Sequence, residues 1–361
     1  MNRGTLNNRI KILFFMNSSY NLECATLEIT LKCNLKCFHC EFSAGKPLLD
    51  ELSTEELINL CEDLSKIKCK RIILMGGEVF LRKDWYDVSE KIKELGIELG
   101  FITNGFINSP KLIKQIKNVQ PVFVGVSIDG GTDKTHDKIR GVNGSFERAL
   151  NFVDLCLAEK IPVIVITSVH KLNIKEIPKL RDILFEKDIL LWELQITDVE
   201  GRFPREYLVD EEEFYSVGQF ITETQKQHPR GGNFVNGAHD MGYNSMYLPE
   251  LSGFKKWHGC QAGITLLSIE SNGGVKGCSA LTEKFVESNI RNKSIVDIWN
   301  DPNSFAYNRK FKKEDLTGYC KECKYNMNCK GGCIETSHML TGDLHGDPYC
   351  FYKIEQNILK R

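Results

Sequence analysis

The sequence lacks both a strong net charge and a long apolar run. Its 361 residues carry a formal net charge of -1, so no basic footprint suggests a nucleic-acid partner. No apolar stretch reaches the ~18–20 residues that a membrane-spanning helix needs. A short apolar patch at residues 12–16, with no small-residue cleavage site behind it, predicts a terminal strand or interface segment rather than a signal peptide. We therefore expect a cytoplasmic protein with no membrane partner.

Cysteine, by contrast, is plentiful. Ten of the 14 cysteines fall in two dense groups, at residues 33–40 and 260–350. Because cytosolic thiols stay reduced, such grouping favours metal binding over disulfides. The cysteines outside the groups are Cys24, Cys61, Cys69 and Cys156. Of these, Cys61 and Cys156 fall on apolar stripes of predicted helices, a position typical of buried structural thiols.

Between residues 25 and 196, short apolar runs alternate with amphipathic segments. The runs are rich in Ile, Val and Leu and predict buried strands at residues 25–31, 71–75, 98–103, 122–128, 162–169 and 190–196. Helical patterns lie between them, and the first begins with the capping-box residues Ser53 and Glu56. Six successive βα units predict an α/β fold, a partial (β/α)6 barrel over residues 25–202 that follows an N-terminal extension, residues 1–24.

The pattern changes after residue 202. Residues 203–256 predict a connecting helix, at about 210–227, and a long irregular loop. Residues 257–350 predict a small cysteine-rich domain with a hairpin around Asn272, Gly273 and Gly274 and one short helix in SIVDIWNDP. We expect a final helix at residues 351–361.

Three cysteines follow the first predicted strand, where a parallel barrel forms its active site. Cys33, Cys37 and Cys40 have the spacing C-x3-C-x2-C. Three thiolates can hold three corners of a 4Fe–4S cluster, which leaves one iron free for a chelating small molecule. The alternative is a zinc loop whose fourth ligand lies elsewhere, for example at His39.

Further polar positions follow the later strands. Those after the second and fourth strands are Gly76, Gly77, Glu78, Ser127, Asp129 and Arg140. Each also has a plain structural interpretation: the glycines as a turn, Ser127 and Asp129 as helix caps, and Arg140 as a surface charge. Thr103 and Asn104, after the third strand, are interpreted as a turn and left out of the predicted site.

The cysteine loop and the Gly-Gly-Glu motif together resemble the radical S-adenosylmethionine (SAM) superfamily, over residues 25 to about 202. The resemblance implies a partial barrel in which Cys33, Cys37 and Cys40 hold a 4Fe–4S cluster. The methionyl amine and carboxylate of SAM would chelate the fourth iron. We therefore expect SAM as a second cofactor.

The same resemblance implies roles for the later positions. Gly76, Gly77 and Glu78 would face the methionyl ammonium, although valine at position 79 replaces the proline of the family motif. Ser127 and Asp129 match positions that contact the ribose. Arg140 is a candidate for contact with the methionyl carboxylate.

The second cysteine group, at residues 257–350, resembles the SPASM domain of many radical SAM enzymes. Its last part, taken alone, also fits a zinc ribbon. The resemblance implies two auxiliary 4Fe–4S clusters, a distal one on Cys320, Cys323, Cys329 and Cys350 and a nearer one on Cys260, Cys278 and Cys333. The fourth ligand of the nearer cluster stays open, with a substrate atom or His258 as alternatives, and we expect His258 to be a bystander.

The resemblance implies an enzyme that cleaves SAM reductively to a 5′-deoxyadenosyl radical, which abstracts a hydrogen atom from a substrate. SPASM relatives mostly crosslink or oxidise ribosomally made peptides, so a peptide is the expected substrate. Sulfatase maturation is less expected because Ser279, not aspartate, follows Cys278. The alternative is a small molecule, a tetrapyrrole or an amino sugar, since only some 24 residues precede the barrel and no leader-peptide module is visible.

A third alternative is a non-catalytic iron–sulfur or zinc scaffold. Gly76, Gly77 and Glu78, with Ser127 and Asp129, argue against it, because a scaffold needs no SAM contacts. For the enzyme we expect a flavodoxin- or ferredoxin-type reductant as a partner, and a separate leader-peptide-binding protein is a further candidate.

Overall fold

The structure is a computed structural model, and it describes residues 20–231, 234–238, 241, 243–248, 251 and 257–360. The apolar patch at residues 12–16, interpreted as a terminal strand or interface segment, lies outside the described residues. Within the described part, no helix combines the length and the apolar character needed to cross a bilayer.

One sheet of ten strands organises the described chain. Its strands are β1 (Cys24–Thr30), β2 (Arg71–Gly76), β3 (Glu98–Thr103), β4 (Phe123–Ser127), β5 (Val163–Val169), β6 (Leu191–Ile196), β7 (Val235–Gly237), β8 (Leu266–Ile269), β9 (Gly274–Lys276) and β10 (Ser288–Asn289). Their order is β10-β9-β8-β1-β2-β3-β4-β5-β6-β7. Strands β1 to β7 are parallel, as the six predicted βα units required.

Helices cover the sheet and close the chain. They are α1 (Thr54–Lys66), α2 (Trp85–Glu94), α3 (Pro110–Val119), α4 (Asp133–Arg140), α5 (Ser145–Ala158), α6 (Ile177–Phe185), α7 (Glu211–Gln227), α8 (Ile295–Asn300), α9 (Ala306–Arg309), α10 (Asn326–Cys329), α11 (Ile334–Thr341) and α12 (Phe351–Leu359). The capping box at α1 is confirmed, because Ser53 Oγ accepts from Glu56 N–H and the Glu56 carboxylate accepts from Ser53 N–H.

The core lies between the strands and the helices packed on them. Alternate strand residues such as Leu74, Val126 and Leu194 are fully buried against this layer. Cys61 and Cys156 lie in the same core, which confirms their interpretation as buried thiols. Burial of apolar side chains on one face leaves the other face of the sheet free to line a cavity.

The cysteine-rich region continues the barrel sheet. The predicted hairpin is present as β8 and β9, which pair antiparallel. Strand β8 also pairs in parallel with β1, with Leu266 beside Cys24, so the hairpin joins the first barrel strand. This pairing was not predicted, and it holds the second cysteine group beside the loop that follows β1.

Candidate active site

The loop after β1 carries the first three cysteines, and backbone hydrogen bonds fix it on two sides. Cys33 N–H donates to the Gly45 carbonyl at 3.0 Å, which closes the loop on itself. Lys36 N–H donates to the Arg140 carbonyl at 3.1 Å, which ties its middle to the end of α4. The loop is therefore held by the sheet and by a neighbouring helix.

Each of the three sulfurs has an N–H donor in reach. The contacts are Leu35 N–H to Cys33 Sγ at 3.5 Å, Ala44 N–H to Cys40 Sγ at 3.4 Å, and Arg140 Nη1 to Cys37 Sγ at 3.8 Å. Such donors stabilise sulfur in its anionic, metal-ligating form. The three thiols and their donors thus fit the three-thiolate site of a 4Fe–4S cluster.

Burial gives these thiols their acid–base character in the metal-free protein. It raises the pKa of Cys33 to about 11 and also raises the pKa of Cys37. Both are therefore neutral thiols at pH 7 without metal. Cluster binding must displace their protons, which couples metal loading to pH.

The Gly-Gly-Glu motif lies against the base of the cysteine loop. Gly77 N–H donates to the Thr30 carbonyl at 2.7 Å, and Glu78 N–H donates to the Lys32 carbonyl at 2.8 Å. A Cβ atom on Gly77 would collide with the Lys32 carbonyl oxygen, so a side chain is excluded there. The close approach of the Lys32 backbone therefore requires glycine at position 77, beyond any need of a turn.

Glu78 itself does not line the cavity described below. Its carboxylate is buried and accepts hydrogen bonds from Thr103 Oγ1 at 2.8 Å and from Asn104 N–H at 2.9 Å. Burial raises the pKa of Glu78, and these two hydrogen bonds oppose that shift. In this structure the carboxylate anchors the loop that follows β3.

Thr103 and Asn104 belong to the site, although the sequence analysis left them out. Both line the cavity. The Asn104 amide donates to Asn34 Oδ1 at 2.9 Å and lies 3.8 Å from Cys33 Sγ, so it reaches the cysteine loop from the neighbouring strand end. Their place directly after a parallel strand was the signal that could have identified them.

Ser127, Asp129 and Arg140 lie close together but face different surroundings. Ser127 and Arg140 line the cavity, whereas Asp129 is fully buried behind it. Asp129 pairs with Arg140 at 2.7 Å and with His39 Nε2 at 3.2 Å, and Ser168 N–H donates to its other oxygen. Burial alone would raise the pKa of Asp129, but Arg140 and His39 hold it well below its ordinary value.

The nearer auxiliary cysteines open onto the same cavity. Cys260, Cys278 and Cys333 all line it. The Cys260 and Cys333 thiols are hydrogen-bonded to each other, and the Cys278 thiol lies near that of Cys333. The structure thus brings these three cysteines together on the chamber wall. The side chain of His258 is exposed, in keeping with a bystander.

The four cysteines of the predicted distal set form a separate group. These four residues, Cys320, Cys323, Cys329 and Cys350, are neighbours in the structure, and none of them lines the cavity. Asp347 lies between the two auxiliary sets, because its buried carboxylate accepts from Cys333 N–H at 3.1 Å and faces the distal thiols. The described structure therefore separates the ten grouped cysteines into three sets.

The cavity, hereafter the chamber, occupies about 420 Å³ on the inner side of the barrel sheet. It joins the first cysteine loop, the ends of β2 to β4 and the nearer auxiliary set. In the described part of the chain, no three Cys, His, Asp or Glu side chains converge on one point as ligands of a single metal ion. A cluster presents separate irons to separate thiolates, so its ligands need no common point.

Carboxylates contribute most of the charge on the chamber wall. Glu41, Glu193 and Glu335 line it. Burial and the neighbouring Asp198 carboxylate raise the pKa of Glu335 well above its ordinary value. The arginines on the wall are already engaged, Arg140 with Asp129 and Arg202 with backbone carbonyls.

Comparison with known families and proteins agrees with this arrangement. Residues 27–184 match the radical SAM superfamily, and residues 260–324 match an iron–sulfur cluster-binding domain, SPASM. The chain is 26% identical to the AdoMet-dependent heme synthase of Methanosarcina barkeri, over 90% of this chain and 95% of that protein. It is also 26% identical to the mycofactocin maturase MftC of Mycobacterium ulcerans, over 91% of this chain and 87% of that protein.

Two solved structures share the fold. Streptococcus suis SuiB bound to S-adenosylmethionine superposes with a TM-score of 0.74 at 18% identity, over 87% of this chain and 74% of that chain. Native anSMEcpe with bound AdoMet superposes with a TM-score of 0.72 at 19% identity, over 94% of this chain and 96% of that chain. At such identities the likeness concerns the fold alone, a parallel sheet followed by a cysteine-rich region.

Proposed function

The chain belongs to the radical SAM superfamily and carries a C-terminal SPASM domain, and from this premise we propose that it modifies a ribosomally made peptide held in the chamber. When bound at the first cysteine set, the cluster and SAM supply the 5′-deoxyadenosyl radical that removes a hydrogen atom from the substrate. The observation that supports this most is that one chamber meets both the first set and the nearer auxiliary set.

The chain's own residues position the reactants and exclude water. Cys33, Cys37 and Cys40 would hold the first cluster, with the backbone of Gly76 and Gly77 beside it as the surface for the methionyl group of SAM. Ser127, which lines the chamber, would contact the ribose. Asp129 would act through Arg140 and His39 and not by direct contact, since its carboxylate is occupied by both. Enclosure by the sheet and the cysteine-rich region limits solvent access to the radical.

Seven further cysteines would hold two auxiliary clusters. We assign the nearer one to Cys260, Cys278 and Cys333, with its fourth ligand open to a substrate atom. The distal set is Cys320, Cys323, Cys329 and Cys350. Its cluster would exchange electrons only, because none of its ligands reaches the chamber.

The charge of the wall favours a peptide. Four carboxylates, Glu23, Glu41, Glu193 and Glu335, line the described wall together with two arginines, of which Arg140 is paired with Asp129. A tetrapyrrole with carboxylate side chains would bring like charge into this chamber. A peptide segment with neutral or basic side chains would not, so we propose that such a segment is the substrate.

A tetrapyrrole is the second candidate, and two of the relatives favour it. The heme synthase of Methanosarcina barkeri matches over nearly its whole length. The Fe-coproporphyrin III synthase of the same organism is 28% identical over 91% of this chain and 87% of that protein. No specific observation supports an amino sugar or a non-catalytic scaffold.

Separate reactions with the two candidate substrates decide between a peptide and a tetrapyrrole. Cluster-loaded protein is incubated with SAM and reductant, together with either a peptide encoded beside its gene or iron-coproporphyrin III. We expect the peptide to lose hydrogen in a mass spectrum and to accelerate release of 5′-deoxyadenosine. Turnover of the porphyrin with an unchanged peptide would favour the second candidate. A cytoplasmic location, a flavodoxin- or ferredoxin-type reductant and a separate leader-binding protein are parts of the same proposal.

A further inference from the structure

A buried tyrosine hydroxyl lies behind the nearer auxiliary set. Tyr307, on α9, packs with Cys260 and Cys278 in one cluster of side chains. Its hydroxyl oxygen is buried, and within the described part of the chain no group accepts a hydrogen bond from it. Both cysteines line the chamber and Tyr307 does not, so the hydroxyl approaches the set from the protein side.

Neighbouring contacts hold the Tyr307 ring in this place. The side-chain amide of the next residue, Asn308, donates to the Cys260 and Ala262 carbonyls, both at 2.8 Å. The ring of Tyr307 also packs edge-on against Phe285, with 5.2 Å between the ring centres. The ring is therefore held beside the cysteine set by contacts that do not involve its hydroxyl.

The backbone before Cys278 leaves room for this hydroxyl. A Cβ atom on Gly277 would collide with Tyr307 Oη, so a side chain at position 277 would displace the hydroxyl. The Gly277 N–H approaches the same oxygen, but an N–H is a donor and cannot accept the phenolic proton. The oxygen is thus accommodated while its proton stays without an acceptor, which is a costly state for a buried donor.

Other donors around the set are already engaged. The Lys276 ammonium, two residues before Cys278, donates to the Leu281 carbonyl at 2.6 Å. Backbone N–H groups reach the Cys260 and Cys278 thiols, as they do in the first cysteine loop. The Tyr307 hydroxyl differs from these donors because no described group of the protein takes up its proton.

We propose that the Tyr307 hydroxyl donates a hydrogen bond to a sulfur of the nearer auxiliary cluster and thereby raises the reduction potential of that cluster. The inference rests on the proposed function, which assigns this cluster to Cys260, Cys278 and Cys333. Cluster sulfurs accept hydrogen bonds, and such bonds are one of the factors that set iron–sulfur potentials. Reduction adds negative charge to the acceptor, so the bond is stronger in the reduced state.

A phenol suits this role in two respects. Its ordinary pKa is about 10, so at neutral pH it is protonated and can donate. It also approaches the cysteine set from the side away from the chamber, so it does not compete with a substrate atom at the open iron. Tyr307 is therefore a positioning residue that acts through the cluster and not on the substrate.

A redox titration of Tyr307→Phe tests this hydrogen bond. The background is cluster-loaded protein with the first cysteine set replaced by alanine, and EPR follows reduction of the two auxiliary clusters. The signal that is lost when the nearer set is also replaced identifies the nearer cluster. We expect Tyr307→Phe to lower its equilibrium constant for reduction about tenfold, a shift of about 59 mV to more negative potential for one electron. The distal cluster should keep its potential.

The matched control removes a tyrosine hydroxyl on an outer helix of the barrel. Tyr86 lies on α2, packs on the barrel core as a partly buried side chain, and is hydrogen-bonded to Glu90. Tyr86→Phe in the same background should leave both auxiliary potentials unchanged. An unshifted nearer cluster in Tyr307→Phe, an equal shift of both clusters, or the same shift in the control would overturn the proposal.

Two further measures keep the outcome clear. If Tyr307→Phe loads less iron, the midpoint of the remaining nearer cluster still decides, because a midpoint does not depend on occupancy. Pulsed ENDOR in H2O and D2O gives a second readout, and the reduced nearer cluster of Tyr307→Phe should lose its coupling to one exchangeable proton. An unmodified protein that forms no cluster at the nearer set would overturn both the cluster assignment and this inference. A loaded cluster with an unchanged potential would overturn this inference alone.

Discussion

Asp129 and Arg140 form a buried ion pair behind the first cysteine loop, with Arg140 Nη2 2.7 Å from Asp129 Oδ2. The same guanidinium approaches Cys37 Sγ to 3.8 Å. One cation therefore joins the loop after the fourth strand to Cys37 of the first cysteine loop. This contact explains why two residues predicted as separate SAM contacts are linked in the structure.

Replacing either partner should destabilise the protein. Asp129→Ala leaves Arg140 as a buried charge without its carboxylate, and Arg140→Ala leaves Asp129 in the same state, each at a cost of about 3–5 kcal/mol. The double variant should lose less than the sum of the two. Denaturant midpoints of the three cluster-loaded variants measure this, and strictly additive losses would contradict the pair.

Glu78 should act on stability as well as on SAM binding. Glu78→Ala leaves the buried donors of Thr103 and Asn104 without an acceptor, at a cost of about 2–5 kcal/mol. Glu78→Gln keeps an acceptor and should lose less. Glu78 holds Thr103 and Asn104, which line the chamber, and in the described structure it is hydrogen-bonded to none of the three cysteines of the first loop. SAM affinity should therefore fall more than iron content. Iron assay and calorimetric SAM titration compare the two, and full SAM affinity in Glu78→Ala would contradict this account.

The surface ion pair between Glu56 and Arg291 predicts how the stability of the folded protein depends on pH. Arg291 donates two hydrogen bonds to Glu56, and this contact lowers the pKa of Glu56 from 4.5 to about 2. A depressed pKa in the folded protein means that the pair stabilises above pH 4.5 and loses this effect as pH falls towards 2. The Glu56 side chain is 33% exposed and the Arg291 side chain 37%, so the pair stabilises the folded protein by at most about 1 kcal/mol.

The measurement compares Glu56→Gln with the unmodified protein in thermal unfolding between about pH 6 and pH 3. The stability difference should shrink as the pH falls. Glu223→Gln, which removes an exposed helix pair with Lys226, is the control. A difference that stays constant over this range would show that the Glu56 contact contributes nothing.

Iron content tests the three cysteine sets. The anaerobically reconstituted protein should hold about twelve irons, and loss of any one set to alanine should leave about eight. The variants are triple substitutions at Cys33, Cys37 and Cys40 or at Cys260, Cys278 and Cys333, and a quadruple one at Cys320, Cys323, Cys329 and Cys350. A count near four, with zinc present, would reject the auxiliary clusters and spare the barrel.

Much of the fold was predictable because its signals are local. Buried parallel strands read as continuous apolar runs, and each of the six predicted strands agrees with the structure within one residue at either end. Helix α4 was missed because its sequence, DKTHDKIR, is polar and lacks an apolar stripe. The pairing of β8 with β1 joins residues some 240 positions apart, and no local pattern records such a contact.

The site was predictable where chemistry depends on residue type. Cysteine spacing marked the first set as a candidate metal site, whereas the division of the seven later cysteines into two sets came from the family resemblance. Side-chain direction was not predictable: Glu78 and Asp129 lie at the predicted strand ends, yet both carboxylates point away from the chamber to other protein groups. Thr103 and Asn104 were missed because a turn and a site have the same sequence signature there.

The most direct test of the central claim is SAM cleavage by the cluster-loaded protein with dithionite and without substrate. The account predicts release of 5′-deoxyadenosine and methionine, and complete loss of both in the variant with Cys33, Cys37 and Cys40 replaced by alanine. The variant lacking Cys320, Cys323, Cys329 and Cys350 should still cleave SAM, because its remaining cysteines include the whole first set. Cleavage that persists without the first three cysteines would contradict the account.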